Sequence, residues 1–180
     1  MREFFFIFNP KKLIMANVTL KGNPVQTVGD LPKVGSKAID FDLRANDLSH
    51  KSLSDFSGNR VIMNIFPSLD TGTCAASVRK FNESASGLEN TSILCVSKDL
   101  PFAQARFCGA EGLDKVVTLS DFESSQFAKD YGLLIADGPL KGLISRAIII
   151  LDENQNVIYT QLVNEISEEP NYQEALDILS

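Results

Sequence analysis

Hydrophobic positions along the chain follow two periods, and the switch between them marks its centre. The run Arg60-Val61-Ile62-Met63-Asn64-Ile65-Phe66 is nearly unbroken and Pro67 stops it, which predicts an interior strand of a mainly parallel sheet. Beyond the turn Pro67-Ser68-Leu69-Asp70-Thr71-Gly72-Thr73, the residues Cys74, Val78, Phe81, Ala85 and Leu88 recur at steps of four and three, which is one face of a helix. Ser92-Ile93-Leu94-Cys95-Val96 then returns to strand and completes a βαβ unit.

The flanking segments extend this alternation. Val18 to Leu20 and Val25 to Val28 flank Gly22-Asn23-Pro24 as a hairpin, and Ile39, Phe41 and Leu43 alternate with Asp40 and Asp42 as a half-buried strand. Pro101 suits a helix start and Gly109 its end, after which Lys115-Val116-Val117-Thr118-Leu119 reads as a strand. A helix over about Ser125 to Tyr131 stops at Gly132, and a Gly/Pro loop runs from Asp137 to Gly142. Ala147 to Leu151 pairs with Val157 to Tyr159 as a second hairpin, and Tyr172, Ala175, Leu176 and Leu179 form a closing amphipathic helix. The order βαβ first and ββα last predicts an α/β, thioredoxin-like fold, with a mixed central sheet flanked by helices and an N-terminal β-hairpin.

Length and charge narrow the function classes. At 180 residues the chain can bury roughly 70% of its unfolded surface without a disulfide staple, so residues 15–180 are expected to form one domain. The net charge of −6 and the scattered basic residues disfavour nucleic acid, whose binding rests on clustered Lys and Arg. No apolar stretch reaches the 18 or so residues of a membrane helix, so a soluble protein with no membrane partner is expected. Residues 1–14, with Phe4-Phe5-Phe6-Ile7-Phe8 followed by Asn9-Pro10-Lys11-Lys12, have neither the long apolar centre nor the cleavage site of a secretory signal. We expect this extension to be dispensable, with translation beginning at Met15.

Cysteine chemistry is the main functional signal. Cys74, Cys95 and Cys108 are separated by 21 and 13 residues, without the short paired spacings of a zinc site. The single histidine, His50, lies in a polar loop and reads as solvated, and there is no Cys-x-x-Cys. Cys74 is different, because it opens a helix whose unpaired N–H groups and dipole favour a thiolate. From the apolar stripe alone, a nucleophile and a buried packing residue remain equally open readings.

The segment Pro67-x-x-x-Thr71-x-x-Cys74 resembles the active-site motif of the peroxiredoxins, and its continuation Ala75-Ala76-Ser77-Val78-Arg79-Lys80-Phe81-Asn82 is similar to the bacterial thiol peroxidase branch. Two further blocks, Leu100 to Gly112 and Ala136 to Leu143, resemble the same branch in the same order, so the likeness runs from about Asn17 to Ser180. The resemblance implies a peroxidase that reduces hydrogen peroxide and organic hydroperoxides without a cofactor or metal. Cys74 would be oxidised to a sulfenic acid, with Thr71 and Arg146 as donors to the reacting atoms and Pro67 shielding the pocket. It further implies that Cys108 resolves that acid as a Cys74–Cys108 disulfide within one chain, the atypical 2-Cys arrangement. Thioredoxin would be the reductant, a homodimer the common assembly and the cytoplasm the compartment that keeps these thiols reduced. Cys95, inside an apolar strand, reads as inert packing. A peroxide sensor, or a thioredoxin-fold binding module without turnover, is the alternative.

Overall fold

A computed structural model describes residues 17–179, so the expectations for residues 1–14 and for Met15 lie outside the described residues. An N-terminal hairpin pairs β1 (Asn17–Leu20) with β2 (Asn23–Gln26). Its turn is not Gly22-Asn23-Pro24 but Lys21-Gly22, both with positive φ (52° and 77°), and Asn23 and Pro24 lie inside β2. A two-residue turn of this hand matches the strand twist, and the strained Lys21 is accepted because its N–H finds a carboxylate partner described below.

The main sheet contains β3 (Leu43–Ala45), β4 (His50–Lys51), β5 (Arg60–Ile65), β6 (Thr91–Ser97), β7 (Val117–Ser120), β8 (Ala147–Leu151) and β9 (Val157–Leu162) in the order β4-β3-β7-β6-β5-β8-β9. Only β5–β6 and β6–β7 run parallel; the other neighbours are antiparallel, so the sheet is mixed and β5 sits between a parallel and an antiparallel partner. The expected strand at Ile39 to Leu43 begins only at Leu43. Ahead of it the Asp40 carboxylate accepts the Phe41 and Leu53 N–H groups at 2.9 Å, which takes the backbone out of a ladder, and Ile39 is exposed.

Alternation along the central strands divides the core in two. Val61, Met63 and Ile65 of β5 share one face with Leu94, Val96, Ile149 and Leu151, covered by Phe127, Ala128 and Tyr131. Those three side chains come from α3 (Gln126–Asp130) and the residue after it. Ile62 and Phe66 share the other face with Ile93, Cys95, Ile148 and Ile150, covered by Cys74, Val78 and Phe81 of α1 (Gly72–Ser84) and by Ala175 of α4 (Tyr172–Asp177). The α1 stripe is as the periodicity predicts, although the helix ends at Ser84 and a 3-10 turn carries the chain to Gly87.

The remaining helix, α2 (Pro101–Glu111), starts at Pro101 as expected but runs through Gly109 to a left-handed cap at Gly112, φ 65°. Only Pro101 and Gln104 are buried along it, whereas Phe102, Ala105 and Arg106 face solvent. A helix anchored by so few buried groups opens locally at low cost. Gly132 does end α3, and its backbone approaches Asp30 so closely that a Cβ there would meet the Asp30 carbonyl oxygen at 2.2 Å. No described helix is long and apolar enough to cross a membrane.

Candidate active site

Strand order brings distant residues to one edge of the sheet. Because β5 and β8 are antiparallel with Ile65 opposite Ala147, the chain leaving β5 at Phe66-Pro67 passes the start of β8, where Arg146 sits. Parallel β6 ends at the same edge, with the Phe66 N–H donating to the Val96 carbonyl at 3.1 Å. The turn that follows Pro67 therefore lies at the carboxyl ends of β5 and β6, the usual place for a site on an α/β sheet.

Cys74 occupies the first turn of α1, and its side chain is fully buried. Thr71 is the N-cap residue, yet its side chain makes no capping bond to the helix; its Oγ1 lies 2.7 Å from Cys74 Sγ and 3.1 Å from the Ser68 carbonyl. One hydroxyl proton can serve only one acceptor at a time. With Cys74 as a thiol, S–H donates to Oγ1 and Oγ1 donates to Ser68; with a thiolate, Oγ1 donates to sulfur. The same three atoms accommodate both protonation states without rearrangement. Arg146 is 1% exposed, donates from Nη2 to Sγ at 3.2 Å and from Nε to the Ile166 carbonyl at 3.1 Å, and leaves Nη1 without a partner among the described residues. Tyr172 at the start of α4 stands close enough to feel Arg146 and Cys74, and burial first of all raises its pKa and keeps the phenol neutral.

A cleft of about 180 Å³ opens beside these groups, lined by Pro67, Thr71 and Arg146 together with the apolar side chains of Leu20, Leu140, Leu143 and Ile166. Four of the five predicted site residues, Pro67, Thr71, Cys74 and Arg146, thus meet. Cys108 does not join them. It lies half-buried on α2 beside Thr118 of β7, with its pKa raised by burial. Cys95 is fully buried, and desolvation pushes its thiol up to about 12. All three thiols are free. Among the described residues no group of three or more His, Cys, Asp or Glu side chains is placed to hold a metal ion.

Sequence reasoning missed Glu165, which braces the segment whose Ile166 and Ser167 line the cleft. Its carboxylate accepts hydrogen bonds from the Lys21 and Gly22 N–H groups at 2.9 and 3.0 Å, the Thr19 hydroxyl at 2.8 Å and the Ser167 hydroxyl. Ile166 and Ser167, the next two residues, supply the carbonyls that hold Arg146 and, at 3.0 Å, the Thr73 hydroxyl. The Ser167 hydroxyl first, then the Gly22 and Lys21 amides, hold the Glu165 carboxyl well below its usual 4.5. The folded protein therefore binds this proton less tightly than the unfolded chain, so the stabilisation is complete above about pH 4.5 and is lost as pH falls below it. We expect Glu165→Gln to lower the thermal midpoint at neutral pH, and its gap to wild type to narrow steadily in melts below pH 4.5; a gap independent of pH contradicts this role. No local signal marks Glu165, since its partners at positions 19 to 22 are remote in sequence.

Comparison with known proteins gives a consistent picture. The Redoxin family profile matches residues 33–176. A thiol peroxidase from Corynebacterium glutamicum is 52% identical over 166 residues, covering 92% of this chain and 100% of that protein. A peroxiredoxin-like protein from Aquifex aeolicus superimposes with a TM-score of 0.86 at 42% identity, covering 92% of this chain and 96% of that one. The thiol peroxidase from Chromobacterium violaceum gives 0.84 at 23% identity, covering 91% and 95%, and so shares the fold.

Proposed function

We infer, from the premise that this chain belongs to the Redoxin family and is a thiol-dependent peroxidase of the thiol peroxidase branch, that Cys74 is the residue which attacks peroxide. The observation that carries this reading is the buried Sγ held at 2.7 Å from Thr71 Oγ1 and 3.2 Å from Arg146 Nη2 at a helix start. In the first step the thiolate attacks one peroxide oxygen, the O–O bond breaks, and sulfur is oxidised to a sulfenic acid while the second oxygen leaves as alcohol or water after taking a proton. Charge passes from sulfur to the leaving oxygen, so donors are needed along the whole path. Thr71 and Arg146 Nη2 serve the sulfur end, and Arg146 Nη1 is free to meet a peroxide oxygen. Pro67, without an N–H, closes the cleft and limits water around the sulfenic acid. Apolar walls of Leu20, Leu140, Leu143 and Ile166 suit the carbon chain of an organic hydroperoxide.

Resolution by Cys108 requires movement. On the sheet face that α1 and α2 cover, Asn64 of β5, Cys95 of β6 and Thr118 of β7 stand side by side. Ser77, one turn after Cys74, is hydrogen-bonded to Asn64, whereas Cys108 sits beside Thr118. Two strand spacings amount to roughly 10 Å, beyond the ~7 Å that a disulfide tolerates between Cα atoms. The Cys74 turn and the sparsely anchored α2 therefore both shift before sulfur meets sulfur. The Cys108 thiol then displaces water from the sulfenic acid, and a dithiol of the thioredoxin type reduces the bridge. Homodimer formation is carried as part of the same proposal on the family resemblance.

The test is a free-thiol count on reduced protein before and after one equivalent of an organic hydroperoxide, with peptide mapping of the product. We expect the three thiols to fall to one, with Cys74 linked to Cys108. Three surviving thiols would show that the scaffold is kept without its chemistry.

A further inference from the structure

One carboxylate connects the turn that carries Cys74 to the base of the helix that carries Cys108. Asp99 lies between β6 and α2, two residues before Pro101. Its Oδ1 accepts the Ser68 hydroxyl at 2.7 Å, and its Oδ2 accepts both the Leu69 N–H at 2.7 Å and the Ser97 hydroxyl at 2.7 Å. On the far side it is anchored in turn. The Asp99 carbonyl accepts the Ser120 hydroxyl, and Ser97 also receives the Gln104 amide at 3.1 Å from inside α2.

The consequence reaches the reacting sulfur through three hydrogen bonds, Asp99 to Ser68, Ser68 to Thr71 and Thr71 to Cys74. The Ser68 carbonyl takes the Thr71 N–H at 3.2 Å in either protonation state of Cys74, and the Thr71 hydroxyl as well while Cys74 is a thiol, so the place of Ser68 fixes where Thr71 Oγ1 stands relative to Cys74. Asp99 touches neither Cys74 nor the cleft; it acts through Ser68 and Leu69. We propose that Asp99 is a positioning residue that holds the Cys74 turn in its peroxide-reducing geometry against the base of α2, and thereby sets the balance between oxidation of Cys74 and release toward Cys108. This rests on the roles given above to Cys74 and Cys108.

The balance has a chemical reading. A Cys74 sulfenic acid held in place can react with a second hydroperoxide, gaining another oxygen as sulfinic acid while the peroxide leaves as alcohol. A sulfenic acid released from that place meets the Cys108 thiol and loses water as the disulfide forms. A tighter Asp99 tie favours the first step and exposes the enzyme to over-oxidation; a looser tie slows attack on peroxide but protects the product.

Asp99→Asn tests this. The carboxamide keeps the shape but has one acceptor oxygen where the carboxylate's two oxygens serve three donors, so its NH₂ group faces the Ser68 hydroxyl or the Leu69 N–H and Ser97 hydroxyl in place of an acceptor. In rapid-quench intact-mass measurements we expect the rate constant for sulfenic acid formation to fall about tenfold or more, since small misplacements of reacting groups are costly. Conversion of sulfenic acid to disulfide should rise several-fold, and the sulfinic fraction in excess peroxide should fall. Ser68→Ala, which removes one tie and leaves Asp99 in place, should change each quantity in the same direction by less, and it carries the test if Asp99→Asn does not fold. Val157→Ala, a core truncation remote from the site, serves as the control for mere destabilisation and should leave the oxidation-to-resolution ratio unchanged. Both steps slowed together, both unchanged, or the same shift in the control would overturn the proposal. Wild-type protein that forms no Cys74–Cys108 bridge in the same assay would overturn instead the reading on which it rests.

Discussion

Cys74→Ser is expected to leave no peroxide-dependent oxidation of a thioredoxin-type dithiol above the uncatalysed rate, a loss of about a million-fold, the lower end of what enzymes supply. The serine hydroxyl fits the space and can take the same hydrogen bond with Thr71, so the scaffold survives. What disappears is a soft anion able to attack an O–O bond, because the thiolate and not the neutral group is the nucleophile. The other two cysteines cannot take over. Cys95 is held as a thiol by desolvation, with a pKa of about 12, and Cys108 is kept neutral by burial on α2, away from Arg146 and Thr71. Cys108→Ser should therefore consume one equivalent of peroxide per chain without turning over, with a second equivalent taken only by over-oxidation to sulfinic acid in excess peroxide, and Cys95→Ser should turn over at close to the wild-type rate. Coupled dithiol oxidation followed in all three variants separates these cases. Wild-type turnover in Cys74→Ser, or its loss in Cys95→Ser alone, would move the reactive sulfur elsewhere.

Local signals in the sequence carry the central βαβ unit and one half of the site. Thr71 and Cys74 stand three residues apart across a helix start, so their contact follows from chain geometry, and the apolar stripe on α1 gives the burial of Cys74, Val78 and Phe81. Arg146 is another matter. It stands 72 residues from Cys74, and nothing in its own neighbourhood distinguishes it from a solvated arginine at a strand end. The antiparallel register of Ile65 with Ala147 is what delivers it, and register between strands so far apart is a property of the assembled sheet. The family resemblance named Arg146; the residues around it could not. Asp99 and Glu165 lie further from view, because the bonds that tie each to the site's distant segments, Ser68 and Leu69 for Asp99 and residues 19 to 22 for Glu165, run to groups 30 or more residues away. The errors of detail have the same origin. Gly109 and Gly112 are both plausible helix stops, but only Gly112 takes the left-handed conformation, and Gly22-Asn23-Pro24 gives way to Lys21-Gly22 because the Glu165 carboxylate supports positive φ at a lysine.

Arg146→Gln is expected to reduce the second-order rate constant of Cys74 oxidation by about a hundred- to a thousand-fold, the usual range for removing one preorganised donor aimed at developing charge. Two separate functions are lost together: the Nη2–Sγ contact at 3.2 Å that stabilises the thiolate, and the unpartnered Nη1 that can follow the charge onto the departing oxygen. Arg146→Lys keeps the charge but not the planar fork, and so should recover only part of the rate, since one ammonium cannot span sulfur, oxygen and the Ile166 carbonyl at once. Stability should move differently. Among the described residues no carboxylate forms a salt bridge with Arg146, so its buried guanidinium carries a desolvation penalty that only the Cys74 sulfur, when ionised, offsets with an opposite charge. Removing that charge relieves the penalty at the expense of two hydrogen bonds, to the Ile166 carbonyl and to Cys74 Sγ, and the thermal midpoint of Arg146→Gln is expected to stay close to that of the wild type while activity collapses. This split identifies the arginine as part of the chemistry. A rate within a few-fold of wild type, or a collapse that simply tracks a lower melting temperature, would instead make Arg146 a structural residue that happens to lie beside the sulfur.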